Sequence, residues 1–261
     1  MKYRIRIVLP YLFLFCGAIV FVLPTAYIII SSFQTGETLT LQPAAFFLDR
    51  YLTLFFEESR FPFAMLRPIW IALTTAIGAT IVAFLSGYVF AKVNFRGRDL
   101  IFFCYLLLML CPYQVTIVPN YLMIRLLGLY NTNLALILPG IFAPMMVVLM
   151  RQFIGQVGDS LCLSFRLDSQ NTFQILLSVV LPCSKVGVAL VFVLAFAEAW
   201  NMVEQPLFLL ENASRYPLSV LLNRILSEGT VLAGSVVFML PVYFLVTLFN
   251  AQLMEGMTAT K

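Results

Sequence analysis

Residues 68–91 read Pro68-Ile-Trp-Ile-Ala-Leu-Thr-Thr-Ala-Ile-Gly-Ala-Thr-Ile-Val-Ala-Phe-Leu-Ser-Gly-Tyr-Val-Phe-Ala91, without a single charge. An α-helix of about 20 predominantly apolar residues crosses a hydrocarbon core roughly 30 Å thick, so this stretch predicts a membrane span. It stops at Lys92-Val-Asn-Phe-Arg-Gly-Arg98, whose cations favour water. Working outward, the same apolar signal recurs at 7–32, 100–118, 133–150, 179–202 and 231–253. With 62% hydrophobic and 11% charged residues and a mean hydropathy of +0.98, the chain is too apolar for an ordinary soluble domain. The expected fold is all-α: one polytopic membrane domain over 1–261 with six transmembrane helices.

The first apolar run follows Lys2, Arg4 and Arg6 and continues to about residue 33, past the 7 to 15 residues of a signal-peptide core, with no small-residue cleavage site after it. It reads as an uncleaved span. If the N-terminus is inside, ten of the sixteen basic residues fall in inner segments: Lys2, Arg4, Arg6, Lys92, Arg96, Arg98, Arg151, Arg166, Lys185 and Lys261. Four acids join them there, while the outer segments hold six basic and eight acidic residues. The positive-inside rule therefore predicts both termini in the cytoplasm.

Several chemistries are excluded. The net charge of +4 is scattered, which leaves no footprint for nucleic acid. There is no His, and Cys16, Cys104, Cys111, Cys162 and Cys183 form no CxxC pair, so no metal site is expected and the cysteines read as small packing residues. No lysine is followed by Ser or Thr, which rules out a Walker A loop, and no G-x-S-x-G element is present. The chain is expected to catalyse nothing and to bind no cofactor itself.

Ala79, Ala83, Gly87 and Ala91 recur every four residues, placing small side chains on one helix face where another backbone can approach; small residues are also simply frequent in membrane helices. Pro24, Pro112, Pro139, Pro144 and Pro241 fall within the expected spans, and Pro119 at the end of one. Each removes a backbone donor, a defect most easily satisfied beside a hydrated cavity. At Cys111-Pro-Tyr-Gln114 two readings stand open: a kink held by neighbouring helices, or a break in a pathway that Tyr113 and Gln114 would line.

Between the fourth and fifth spans, 151–178 is too polar to cross the membrane, holds no Pro and little Gly, and reads as ordered helix. Phe153, Val157, Leu161 and Phe165 recur every four residues, giving an amphipathic face. The chain then turns near Asp168-Ser169 and resumes as a second apolar piece. Such a face lies on a membrane surface or in a partner's groove; the shortage of Lys and Arg opposite it favours the partner.

At this loop a resemblance emerges. Arg166-Leu-Asp-Ser-Gln-Asn171, followed by Phe173, Ile175 and Leu181-Pro182, resembles the EAA loop of ABC importer permeases, whose core runs E-A-A-x-x-D-G and ends in a leucine-proline pair. Arg166 and Asp168 match it. Leu85-Ser-Gly-Tyr-Val-Phe-Ala-Lys92 with Phe95-Arg-Gly-Arg98, Leu127-Gly-Leu-Tyr-Asn-Thr132, Met150-Arg-Gln-Phe153, Trp200-Asn-Met-Val-Glu-Gln-Pro-Leu207 and Glu255-Gly-Met-Thr-Ala-Thr-Lys261 are similar to the shorter, six-span permease of the carbohydrate-uptake branch. The resemblance covers nearly the whole chain.

It implies a type I ABC importer transmembrane domain, multi-pass in the bacterial cytoplasmic membrane. It also implies a second homologous permease, two cytoplasmic ATPase subunits that bind ATP and Mg, and an extracytoplasmic solute-binding protein that delivers a sugar or oligosaccharide. The loop 152–178 would be the coupling segment, with Leu161, Phe165, Arg166, Leu167, Asp168 and Ser169 at the ATPase. Leu163-Ser164-Phe165 stand where the family has Glu-Ala-Ala, and Ser169 stands where it has Gly, so the turn is made without the residue that best tolerates a left-handed conformation.

Intramembrane carboxylates mark ion pathways in gradient-driven carriers, the competing class. Here Glu198 and Glu204 sit near the outer end of the fifth span, and the depths of the other spans hold none. Around them, Trp200 offers an indole to a sugar's C–H face, while Asn201, Glu204 and Gln205 offer hydrogen bonds to hydroxyls. A continuous helix would put Trp200 and Glu204 on one face and Asn201 and Gln205 on another. The same cluster also fits an interfacial anchor. An importer of a non-sugar solute remains a third reading.

Overall fold

The computed structural model describes residues 2–34, 48–57, 60–168, 171–212, 215–225 and 228–258, and every regular element among them is a helix. The chain gathers into two compact units, Met1–Phe63 with Leu221–Leu240, and Ala64–Val220 with Pro241–Lys261. In the first, α1 (Lys2–Ser32) carries exposed apolar side chains such as Phe13 and Phe21, which only lipid or another membrane helix can solvate. Its end is tied to α2 (Asp49–Leu52): the Ser32 and Tyr51 hydroxyls lie 2.7 Å apart, and Arg50 donates to the Ser31 carbonyl at 2.9 Å.

The second unit holds the remaining helices up to residue 220. They are α3 (Arg60–Lys92, from Ala64 on), α4 (Arg98–Leu110), α5 (Tyr113–Leu126), α6 (Leu134–Ile141), α7 (Pro144–Gly155), α8 (Asp159–Asp168), α9 (Thr172–Ile175), α10 (Leu181–Cys183), α11 (Lys185–Trp200) and α12 (Glu204–Leu209). Next come α13 (Leu218–Ile225), α14 (Glu228–Leu248) and α15 (Asn250–Thr258), of which the last belongs wholly to the second unit. Among the described residues four segments are long and apolar enough to span: Pro10–Ser32, Met65–Lys92, Leu134–Gly155, which includes the short interruption between α6 and α7, and Thr230–Leu248. Two bent helix pairs bring the number to six.

Helices α3, α6, α7 and α11 meet through small residues. Ala72, Ala76, Ala79 and Ala83 are fully buried, and Ala91 is half-buried. A Cβ added at Gly87 would stand 3.0 Å from the Arg151 backbone nitrogen, and one at Gly187 2.5 Å from the Phe153 ring. Backbones this close gain dispersion that a larger residue would prevent. Ile71, Ile124, Leu136, Ile137, Leu209 and Leu210 form a core shared by α3, α5, α6 and α12.

Four expectations need correction. The span expected at 100–118 is not straight: α4 and α5 meet at 105° across Cys111–Pro112. Cys111 has ψ 125° because a residue before proline is pushed out of the helical region, and Pro112 itself is extended. The span expected at 179–202 likewise divides, with residues 172–183 and α11 meeting at 82° just after Pro182. Its upper end stops at Trp200, so residues 201–205 do not continue the helix. The last span ends at Leu248 rather than residue 253; with Asn250, Gln252 and Glu255 the chain turns polar and forms α15, which returns to α11 through a 3.0 Å Lys185–Glu255 ion pair.

Candidate functional site

The two ends of the second unit differ in chemistry. At one end, Lys92 Nζ donates to the Val157 carbonyl, and Arg151 Nε donates to the Phe90 carbonyl at 3.3 Å while its guanidinium lies 3.6 Å from the centre of the Phe102 ring. Cations thus bind α3, α4 and α7 at this end, where Gly97 turns the intervening loop at φ 86°. At the other end, Arg67 Nε donates to Asn133 Oδ1 at 3.1 Å, and Arg125 lies over the Tyr121 and Tyr130 rings, 5.0 and 4.5 Å from their centres. Arg215 donates to the Asn131 carbonyl.

Asn131 organises that second end. It adopts φ 59°, a left-handed conformation that Asn tolerates better than most residues. Its N–H donates to the Leu209 carbonyl at 3.0 Å, and its Oδ1 accepts from the Glu211 N–H at 3.2 Å. The loop between α5 and α6 is thereby clipped to the chain after α12.

Beside this end lies a cavity of about 570 Å³, formed where helices stop. Cys111 from the α4–α5 break, Phe142 and Ala143 from the α6–α7 break, Glu198 near the end of α11 and Gln205 in α12 all line it. Its polar groups are Tyr113, Thr116, Asn120, Glu198 and Gln205. Tyr113, Thr116 and Asn120 follow i, i+3, i+7 and so share one face of α5. This spacing of polar residues in an otherwise apolar helix was present in the sequence, yet only Tyr113 was singled out from it.

The structure brings Tyr113, Glu198 and Gln205 together here, but not the whole cluster. Trp200 is fully buried and stacks on Phe196 with ring centres 5.8 Å apart and planes 12° apart, so it does not present a face to the cavity. Gln114 and Glu204 are exposed outside the lining, and exposed Asn201 donates to the Ala197 carbonyl at 2.9 Å. The expected pairing of Trp200 with Glu204 and of Asn201 with Gln205 fails because the helix ends at Trp200.

A second hollow, of about 520 Å³, is walled by Leu181, Pro182, Val188 and Phe192, with Thr80, Lys185 and Gln252 as its polar edge. A third, of about 310 Å³, lies between Ile81 and Leu85 on one side and Phe173 and Leu177 on the other, and is wholly apolar apart from Thr80. Neither gathers as many hydrogen-bonding side chains as the first.

At the Lys92 end the expected four-residue stripe is divided. Phe153 packs against Gly187 and Val157 is buried, whereas Leu161 and Leu163 on α8 are exposed, at 55% and 61%. The reason is the chain break at 156–158, which ends α7 and starts α8 in a new direction. Phe165, Arg166, Leu167 and Asp168 complete the α8 backbone; their side chains, and Ser169 altogether, lie outside the described residues. Asn171 caps the next piece, its side chain accepting from the Phe173 N–H at 3.0 Å.

Residues 79–258, more than two thirds of the chain, match the sequence profile of the family described as binding-protein-dependent transport system inner membrane component. The chain belongs to this family. It is therefore a membrane-spanning transport subunit of the inner membrane. Among its relatives, the arabinooligosaccharides transport system permease protein of Halalkalibacterium halodurans is 26% identical, covering 92% of this chain and 91% of the relative. The sn-glycerol-3-phosphate transport system permease protein of Brucella abortus is 23% identical over 96% and 95%. A crystal structure of a bacterial ABC transporter involved in the import of the acidic polysaccharide alginate contains a chain of the same fold. Its TM-score is 0.82 at 21% identity, covering 96% of this chain and 97% of that one.

Proposed function

We propose that this chain is one transmembrane permease subunit of an ATP-driven ABC importer, moving a sugar or oligosaccharide delivered by an extracytoplasmic solute-binding protein. The observation that carries the reading is the family match over 79–258, joined by a relative named for arabinooligosaccharide transport along almost its full length. A second permease completes the path, and two ATPases, which hold ATP and Mg, dock at 152–178. The exposed Leu161 and Leu163 on a short helix at the Lys92 end support this docking, since an apolar surface outside the bundle needs a partner. Both termini are cytoplasmic in this reading, as is the Lys92 end, which puts the polar cavity in the outer half of the membrane.

The test is to express the chain with its partner subunits, purify the assembly in mild detergent, and measure ATP hydrolysis with the captured binding protein and a panel of glycans. Stoichiometric ATPase subunits and a glycan-stimulated rate are expected. A homogeneous chain without an ATPase, driving uptake from an ion gradient alone, would instead make Glu198 the ion site of a carrier.

A further inference from the structure

The cavity at the three helix breaks has a charge pattern that narrows its cargo. Among the described residues, Glu198 is the only charged one in its lining. Glu204, exposed outside the lining, adds a second negative charge in the adjoining segment rather than a neutralising cation. The cations of this end are engaged elsewhere: Arg67 on Asn133, Arg125 over two tyrosine rings, Arg215 on the Asn131 carbonyl. None of the three lines the cavity. The other lining polar groups, Tyr113, Thr116, Asn120 and Gln205, are neutral donors and acceptors suited to hydroxyls. A cavity that gathers one carboxylate and four neutral hydrogen-bonding groups can satisfy a polyol. Among the described residues it holds no cation to pair with a carboxylate or phosphate, whose desolvation is costly without an opposite charge.

We propose that this cavity receives an uncharged, hydroxyl-rich glycan and turns away anionic ones, with Glu198 setting the preference. The inference rests on the sugar-importer reading and names the class of sugar. It sets this chain apart from relatives named for sn-glycerol-3-phosphate and alginate transport, whose cargoes are acidic.

Cys111 provides a probe of the cavity, since it lines it and is a free, exposed thiol. In the assembled complex, its modification by a cationic and by an anionic methanethiosulfonate reagent is followed by mass spectrometry of the Cys111 peptide. Rates are normalised to each reagent's rate on a small free thiol. The cationic reagent is expected to be favoured by about tenfold, with the ratio falling toward one in Glu198→Gln and inverting in Glu198→Lys. A ratio near one in the unaltered complex, or one that Glu198→Gln leaves unchanged, overturns the proposal. In proteoliposomes, neutral oligosaccharides should accumulate and uronate-bearing counterparts of equal length should not; equal uptake of both also overturns it. Loss of all glycan uptake with the labelling ratio intact removes the sugar reading while supporting the charge preference.

Discussion

Two long helical segments of this protein bend sharply, and the bends serve opposite ends. At Cys111–Pro112 the chain turns by 105° with Leu110, Cys111 and Pro112 all exposed, and the turn walls a polar cavity. At Ser184, just after Pro182, it turns by 82°, but the hinge residue is 2% exposed. The Ser184 hydroxyl donates to the Val180 carbonyl at 2.7 Å, and Gly187, one turn on, is pressed against Phe153. The flanks of this second bend, Pro182, Cys183 and Lys185, are exposed, and Pro182 and Lys185 line the hollow of about 520 Å³. Proline makes the first bend, and Ser184, which leaves the helical region at φ −106° and ψ 17°, makes the second; tertiary packing closed that one into an elbow and left the other as a cavity wall.

That contrast can be broken most severely at Gly187. A leucine there must displace the Phe153 ring, and overpacking of this kind costs about 1–3 kcal/mol. Gly187→Leu should lower the unfolding midpoint of the detergent-solubilised complex more than any substitution at the open bend, and an unchanged midpoint would show that the second bend is not packed. A smaller effect is expected at Ser184. The Val180 carbonyl also accepts from the Ser184 N–H at 2.9 Å, so Ser184→Ala leaves the acceptor satisfied and should cost only about 0.5 kcal/mol.

The smallest change in stability is expected at the open bend. Pro112→Ala restores a backbone donor and frees Cys111 to become helical, yet Pro112 is exposed, so its unfolding free energy should stay within about 0.5 kcal/mol of the parent. Import, measured in the same preparation, should fall as the cavity wall relaxes. If stability drops sharply instead, the two bends are alike and the distinction between them is lost.

Much of this was legible along the chain. Hydropathy pointed to the apolar segments, though two of them are bent and run several residues beyond the expected ends. Pro112 and Pro144 stand where helices stop or start, while Pro24, Pro119, Pro139 and Pro241 lie inside helices. The tightly spaced Ala79, Ala83 and Gly87 did line a buried face. The candidate site was legible in part: Tyr113, Glu198 and Gln205 reach the cavity, whereas Thr116, Asn120 and Asn131 were passed over and Trp200 turned inward. The stripe from Phe153 to Leu161 misled because its period of four assumed one continuous helix, and the chain redirects itself at 156–158.

The sequence by itself determined that this protein lives in lipid, that it is helical, and where its helices can break, because apolar run length and the missing proline donor are local properties that no distant residue can undo. Only the tertiary structure decided that Trp200 serves the core, that Phe153 closes on Gly187, and that three separate breaks face a single cavity. Those outcomes depend on which surfaces meet across tens of residues of sequence, where close packing admits one partner and excludes another.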